Sequence, residues 1–86
     1  MSSQTLGANT SVLEVTHIDS RGFWLYRDGK EHYLPFIEFP WFANATVSQI
    51  SHVIEESKNH LYWPDLDIDL TVDMIDNPGK YPLKYK

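Results

Sequence analysis

The sequence predicts an α+β domain: a small antiparallel sheet built from a three-stranded meander plus a second hairpin, with one or two short helices beside it. Two turn signals predict the sheet. Asp28-Gly29 sits between aromatic-rich runs and is the strongest short hairpin signal in the chain. Lys58-Asn59 separates a β-branched run from another aromatic one. Capping residues ahead of two short stretches, Asn44 or Thr46 and then Asp69 or Thr71, predict the helices.

Taken in order, residues 1–10 are polar, without the basic and apolar regions of a signal peptide, and read as a flexible leader. Residues 11–86 read as one domain. Val12 to Ile18 is β-branched and largely apolar, as a first strand requires. Asp19-Ser20-Arg21-Gly22 supplies a turn, with Gly22 free to take a positive φ. Phe23 to Tyr26 and Glu31 to Leu34 then flank the Asp28-Gly29 turn, and Pro35 ends the third strand because it cannot donate to a ladder. Phe36 to Phe42, held between two prolines, reads as an aromatic connection packed across the sheet. A helical turn through Gln49 follows, then Ile50 to Glu56 as a strand and His60 to Trp63 as its partner. A last short helix runs through Asp76 and stops at Asn77-Pro78-Gly79.

Composition excludes several classes. A net charge of −5 argues against a protein that binds nucleic acid by neutralising phosphate, and suits a basic protein partner. No apolar run approaches the ~20 residues of a membrane helix. There is no cysteine, which removes disulfides and thiolate metal sites and fits a cytoplasmic location. Small domains bury only about 60% of their unfolded surface. The aromatic content of 14% offsets that, since each ring buries ~150–250 Å².

The most unusual segment is His60 to Leu70. Asp65, Asp67 and Asp69 alternate with Leu66, Ile68 and Leu70, the period-two pattern of a strand with one buried face, which leaves a second face of carboxylates alone. Such a stripe is tolerated if water screens it or a partner binds it. A calcium loop starting at Asp65 needs Gly at its sixth position and Glu at its twelfth, where this chain has Leu70 and Asp76. The histidines, His17, His32, His52 and His60, lack the spacing of a helical metal pair. Ser48 with His52 lacks a nucleophile-elbow sequence, and Glu55-Glu56 near His60 lacks a glycine loop to shape a pocket. No cofactor, metal or catalytic residue is therefore expected. Trp41, Phe42 and Trp63 are first of all core material in so small a domain, although Trp63 directly precedes the acidic segment and large aromatics also anchor interfaces.

The run Leu61-Tyr62-Trp63-Pro64-Asp65-Leu66-Asp67-Ile68-Asp69-Leu70 resembles the bacterial domain-of-unknown-function family 2442. Gly22-Phe23-Trp24-Leu25, Tyr33-Leu34-Pro35-Phe36, Phe39-Pro40-Trp41-Phe42 and Asn77-Pro78-Gly79-Lys80-Tyr81-Pro82 extend the similarity over about Val12 to Leu83. The resemblance implies a small α+β fold, a bacterial or phage-borne protein and gene pairs like toxin–antitoxin modules. It supplies no catalytic residues. Some members carry a helix-turn-helix domain after this one, for which a chain ending at Lys86 has no room, so DNA binding is not expected.

The expectation is thus a non-enzymatic, antitoxin-like module that neutralises a small basic partner through Trp41, Phe42, Trp63, Asp65, Asp67 and Asp69. The alternatives are a small metal-dependent enzyme and a self-associating module, for instance a homodimer paired through an exposed edge strand.

Overall fold

A computed structural model describes residues 12–80; the predicted leader lies outside the described residues. The described residues form two three-stranded antiparallel sheets, two short α-helices and two single 3-10 turns. This is the α+β class the turn signals predict.

The first sheet is a meander of β1 (Leu13–Ile18), β2 (Gly22–Arg27) and β3 (Lys30–Pro35). Asp28 and Gly29 take φ of 50° and 89°, the two positive values that a type I′ hairpin turn requires. At the other end, the β1–β2 turn does not rest on a positive φ at Gly22, contrary to the sequence expectation. Asp19 closes it by accepting from the backbone N–H of Arg21 (2.8 Å) and Gly22 (3.2 Å). Gly22 is needed instead for space. A Cβ there would lie 2.5 Å from the Leu34 carbonyl oxygen and 2.9 Å from the Tyr33 hydroxyl.

The aromatic connection after Pro35 folds back at once, its carbonyl accepting from Glu38 and Phe39 N–H at 3.0 Å each. Phe39 and Phe42 drop into the core around a 3-10 turn, Pro40–Phe42. Helix α1 (Val47–Ser51) starts at Thr46, whose hydroxyl accepts from Gln49 N–H while the Gln49 side chain accepts from Thr46 N–H. The expected strand from Ile50 to Glu56 therefore begins in the helix, which takes Ile50 and Ser51. Ile50 ends up buried in α1, and pairing begins only at β4 (Ile54–Ser57). A β-branched run of this length carries too little periodicity to separate the two states.

The second sheet joins β4, β5 (His60–Trp63) and β6 (Ile68–Thr71), one strand more than the expected hairpin. The extra strand comes from the acidic segment, of whose three aspartates only Asp69 lies within a strand. Residues 64–67 form a turn, and Asp67 adopts φ of 54°. The alternation from Asp65 to Leu70, read as one strand, is thus the end of a turn followed by a strand. Thr71 then caps α2 (Val72–Asp76), its hydroxyl accepting from Met74 N–H.

The core lies between the inner faces of the two sheets. Phe23, Leu25 and Leu34 come from the first, Leu61, Trp63 and Leu70 from the second, with Phe39, Phe42, Ile50 and Ile75 filling between them. Phe42 packs edge-on against both Phe23 and Trp63, with ring centroids 4.9 Å apart in each pair. The Trp63 indole N–H donates to the Ile50 carbonyl at 2.9 Å, so its one polar group is satisfied inside.

An ion pair also ties the sheets together. Arg27, at the end of β2, donates through Nε and Nη2 to the two carboxylate oxygens of Glu55 on β4, at 3.2 and 2.7 Å. It donates as well to Asn59, the residue of φ 63° that turns β4 into β5.

Candidate functional site

Antiparallel pairing sets the geometry around the acidic segment. Trp63 is opposite Ile68, Tyr62 opposite Asp69, Leu61 opposite Leu70 and His60 opposite Thr71. Leu61, Trp63, Ile68 and Leu70 therefore point to the core side, and His60, Tyr62, Asp69 and Thr71 to the outside. Asp65, Asp67 and Asp69 are all exposed, although they share no strand face.

None of the three carboxylates stands alone. Asp65 lies 2.9 Å from His52 Nδ1, Asp69 meets His60 Nε2, and Asp67 accepts from the Tyr62 hydroxyl at 3.2 Å. That last bond holds the Tyr62 phenol above its ordinary value, because losing the proton would leave two negative oxygens facing each other. The other histidines follow the same rule. His17 Nε2 is 3.6 Å from Asp19, and His32 Nδ1 is 2.6 Å from Asp76 Oδ1. The Asp76 carboxylate accepts and so fixes the His32 proton on Nδ1, while Nε2 is buried without a hydrogen-bond partner among the described residues. Sequence reading missed these pairs, since the partners of His32 and His52 lie 44 and 13 residues away.

Of the aromatic anchors, two are corrected by their placement. Phe42 and Trp63 are fully buried in the sheet–sheet core and offer no surface to a partner. Trp41 is half-buried and lines a cleft of about 390 Å³ with Leu66, Asp67, Ile68, Asp69 and Leu70. The structure therefore brings Trp41, Asp67 and Asp69 together and sets Asp65 apart, beside the end of α1. The apolar residues that line the cleft are buried or half-buried, and its two carboxylates are exposed. Among the described residues neither Asp67 nor Asp69 is paired with a lysine or arginine.

Among the described residues no three His, Asp or Glu side chains gather as a metal site would require. Ser48 is exposed on α1 while His52 pairs with Asp65, and Glu55 is committed to Arg27. No helix among the described residues is long and apolar enough to cross a membrane.

The model of the family described as Protein of unknown function (DUF2442) matches residues 12–81. The chain belongs to this family. The match takes in both sheets, the acidic turn and α2, so the Trp41 cleft lies wholly within the family's domain. No curated protein and no solved structure matches the chain.

Proposed function

We propose that this DUF2442 domain is a non-enzymatic protein-binding module that docks a basic protein partner in the Trp41 cleft. The antitoxin-like role implied by the sequence resemblance is the form of this reading we favour, the partner being neutralised by occupation of its basic surface. The observation that carries it is the meeting of one large aromatic ring and two exposed carboxylates, Trp41, Asp67 and Asp69, in one cleft of about 390 Å³. An aromatic anchor bordered by charge is how interfaces combine affinity with selection of partner. The negative balance of the whole chain adds long-range attraction for a basic protein.

Purification of the full chain from its native host, with identification of proteins present in stoichiometric amount, tests the reading. A basic protein should accompany the wild-type chain, and the Asp67→Asn, Asp69→Asn double variant should lose it at lower salt. A chain that purifies without a basic partner, or a partner indifferent to both carboxylates and to ionic strength, would overturn it.

A further inference from the structure

The residues lining the Trp41 cleft include three consecutive residues of β6, Ile68, Asp69 and Leu70, besides Leu66 and Asp67 of the turn before it. In an extended segment, neighbours point to opposite faces, so a cleft on one face of a sheet is lined by every second residue. A cleft lined by residues of both parities runs along the edge of the strand, where backbone N–H and C=O groups are presented. Strand β6 is at the end of the second sheet, and among the described residues no strand pairs with its outer edge.

We propose that the partner's docking element is an extended basic segment that adds to β6 as a fourth strand; this rests on the binding role given above to the same cleft. Main-chain hydrogen bonds to the open edge supply affinity, and alternate side-chain positions supply selection. On one side the added strand meets Trp41, Leu66, Ile68 and Leu70, which suit apolar side chains or the aliphatic stems of lysine and arginine. On the other it meets Asp69, with Asp67 at the turn that leads into the strand, and these carboxylates suit their charged ends. The matching segment therefore alternates basic with apolar residues. It is about four to six residues long, since β6 spans only Ile68–Thr71.

The same carboxylates decide against other occupants. Charges on an edge strand are a common defence against edge-to-edge pairing. Two copies of β6 meeting across a two-fold axis would bring Asp69 and Asp67 of one chain towards those of the other, and like charges on facing strands repel. An acidic segment is rejected in the same way. The edge is closed to its own kind and open to a basic strand.

The test uses the full chain, isotope-labelled, with three capped hexapeptides: lysine alternating with valine, the same peptide N-methylated on the backbone nitrogens of one edge, and glutamate alternating with valine. Nuclear magnetic resonance reads both affinity and amide exchange. The lysine peptide should bind and slow exchange of β6 amides by roughly tenfold or more, and N-methylation should weaken it about tenfold by removing ladder donors. The Asp67→Asn, Asp69→Asn variant should weaken it about fivefold, with the loss shrinking in high salt. Equal binding of the N-methylated peptide, with no protection along β6, would overturn strand addition while leaving the basic-partner reading intact. Equal binding of the glutamate peptide would overturn selection by charge. Failure of both lysine peptides to bind would also overturn strand addition, whereas the basic-partner reading falls only on the purification result.

Discussion

At Gly29 and Gly22 the chain forbids a side chain for two different reasons. Gly29 has φ of 89° and no atom within 4 Å of where a Cβ would stand, so its constraint is conformational. Gly22 is crowded against the backbone of Leu34 and Pro35, which cannot give way as a flexible side chain would. Gly29→Val should destabilise the domain by about 1 kcal/mol or more through the turn alone. Gly22→Ala should cost about 1–3 kcal/mol by forcing strands β2 and β3 to shift. Denaturant titration of both variants checks this; wild-type stability in either would refute the role given to that glycine. The first role was legible in the sequence, because Asp-Gly between alternating runs has few other meanings. The second was not, since only the register Gly22–Pro35 reveals what faces the missing Cβ.

Between elements, the Arg27–Glu55 pair makes stability depend on pH. The hydrogen bond from Arg27 is the largest influence on Glu55 and holds its carboxyl below the ordinary value of 4.5. Folding therefore favours the ionised form. That stabilisation is fully present above the unfolded value and is lost as pH falls through the lower folded one. Glu55→Gln should be destabilised by about 1–3 kcal/mol near neutral pH, and the gap to wild type should narrow as pH falls below 4.5. Melting curves across that range check it; a gap that stays constant into acid would show that the charge is not what matters. Helix starts were readable at this scale, for Thr46 and Thr71 carry the capping chemistry that the sequence advertises. The acidic segment was misread because alternation looks the same whether it marks one strand or a turn entering a strand. Aspartate at position 67 tolerates φ of 54°, which lets the chain reverse within the pattern. The Arg27–Glu55 tie, spanning 28 residues, left no local trace at all.

For the molecule as a whole, the acidic cleft should be separable from the fold. Asp67→Asn keeps a residue that accepts the positive φ and an oxygen for the Tyr62 hydroxyl, and Asp69 is exposed. The Asp67→Asn, Asp69→Asn variant should therefore stay within about 0.5 kcal/mol of wild type, which thermal melts will show. A larger loss would mean that the His60 and Tyr62 contacts hold the second sheet together. Exhaustive chelation should leave the melting midpoint unchanged, and calcium or zinc in moderate excess should not raise it. A saturable rise with one ion would turn the carboxylates from a docking surface into a ligand set. The cleft was half legible: Asp67, Asp69 and Trp41 were singled out from the sequence. Phe42 and Trp63 moved inside because two small sheets need the largest rings between them.

Among the described residues every strand pairs with a neighbour in the sequence, β1 with β2, β2 with β3, β4 with β5 and β5 with β6. Each pairing closes a loop of only a few residues, so the entropic cost of bringing strands together is met in small steps. All-β proteins fold slowly when they must first join distant segments, and this chain postpones that step until two local meanders exist. Refolding should accordingly be fast for a sheet protein, completing in about milliseconds. Stopped-flow mixing of Gly29→Val and Glu55→Gln should then separate two moments of assembly. The turn variant should slow refolding, whereas the variant lacking the tie between sheets should chiefly speed unfolding. If both act on the same limb, the two meanders form and dock as a single event.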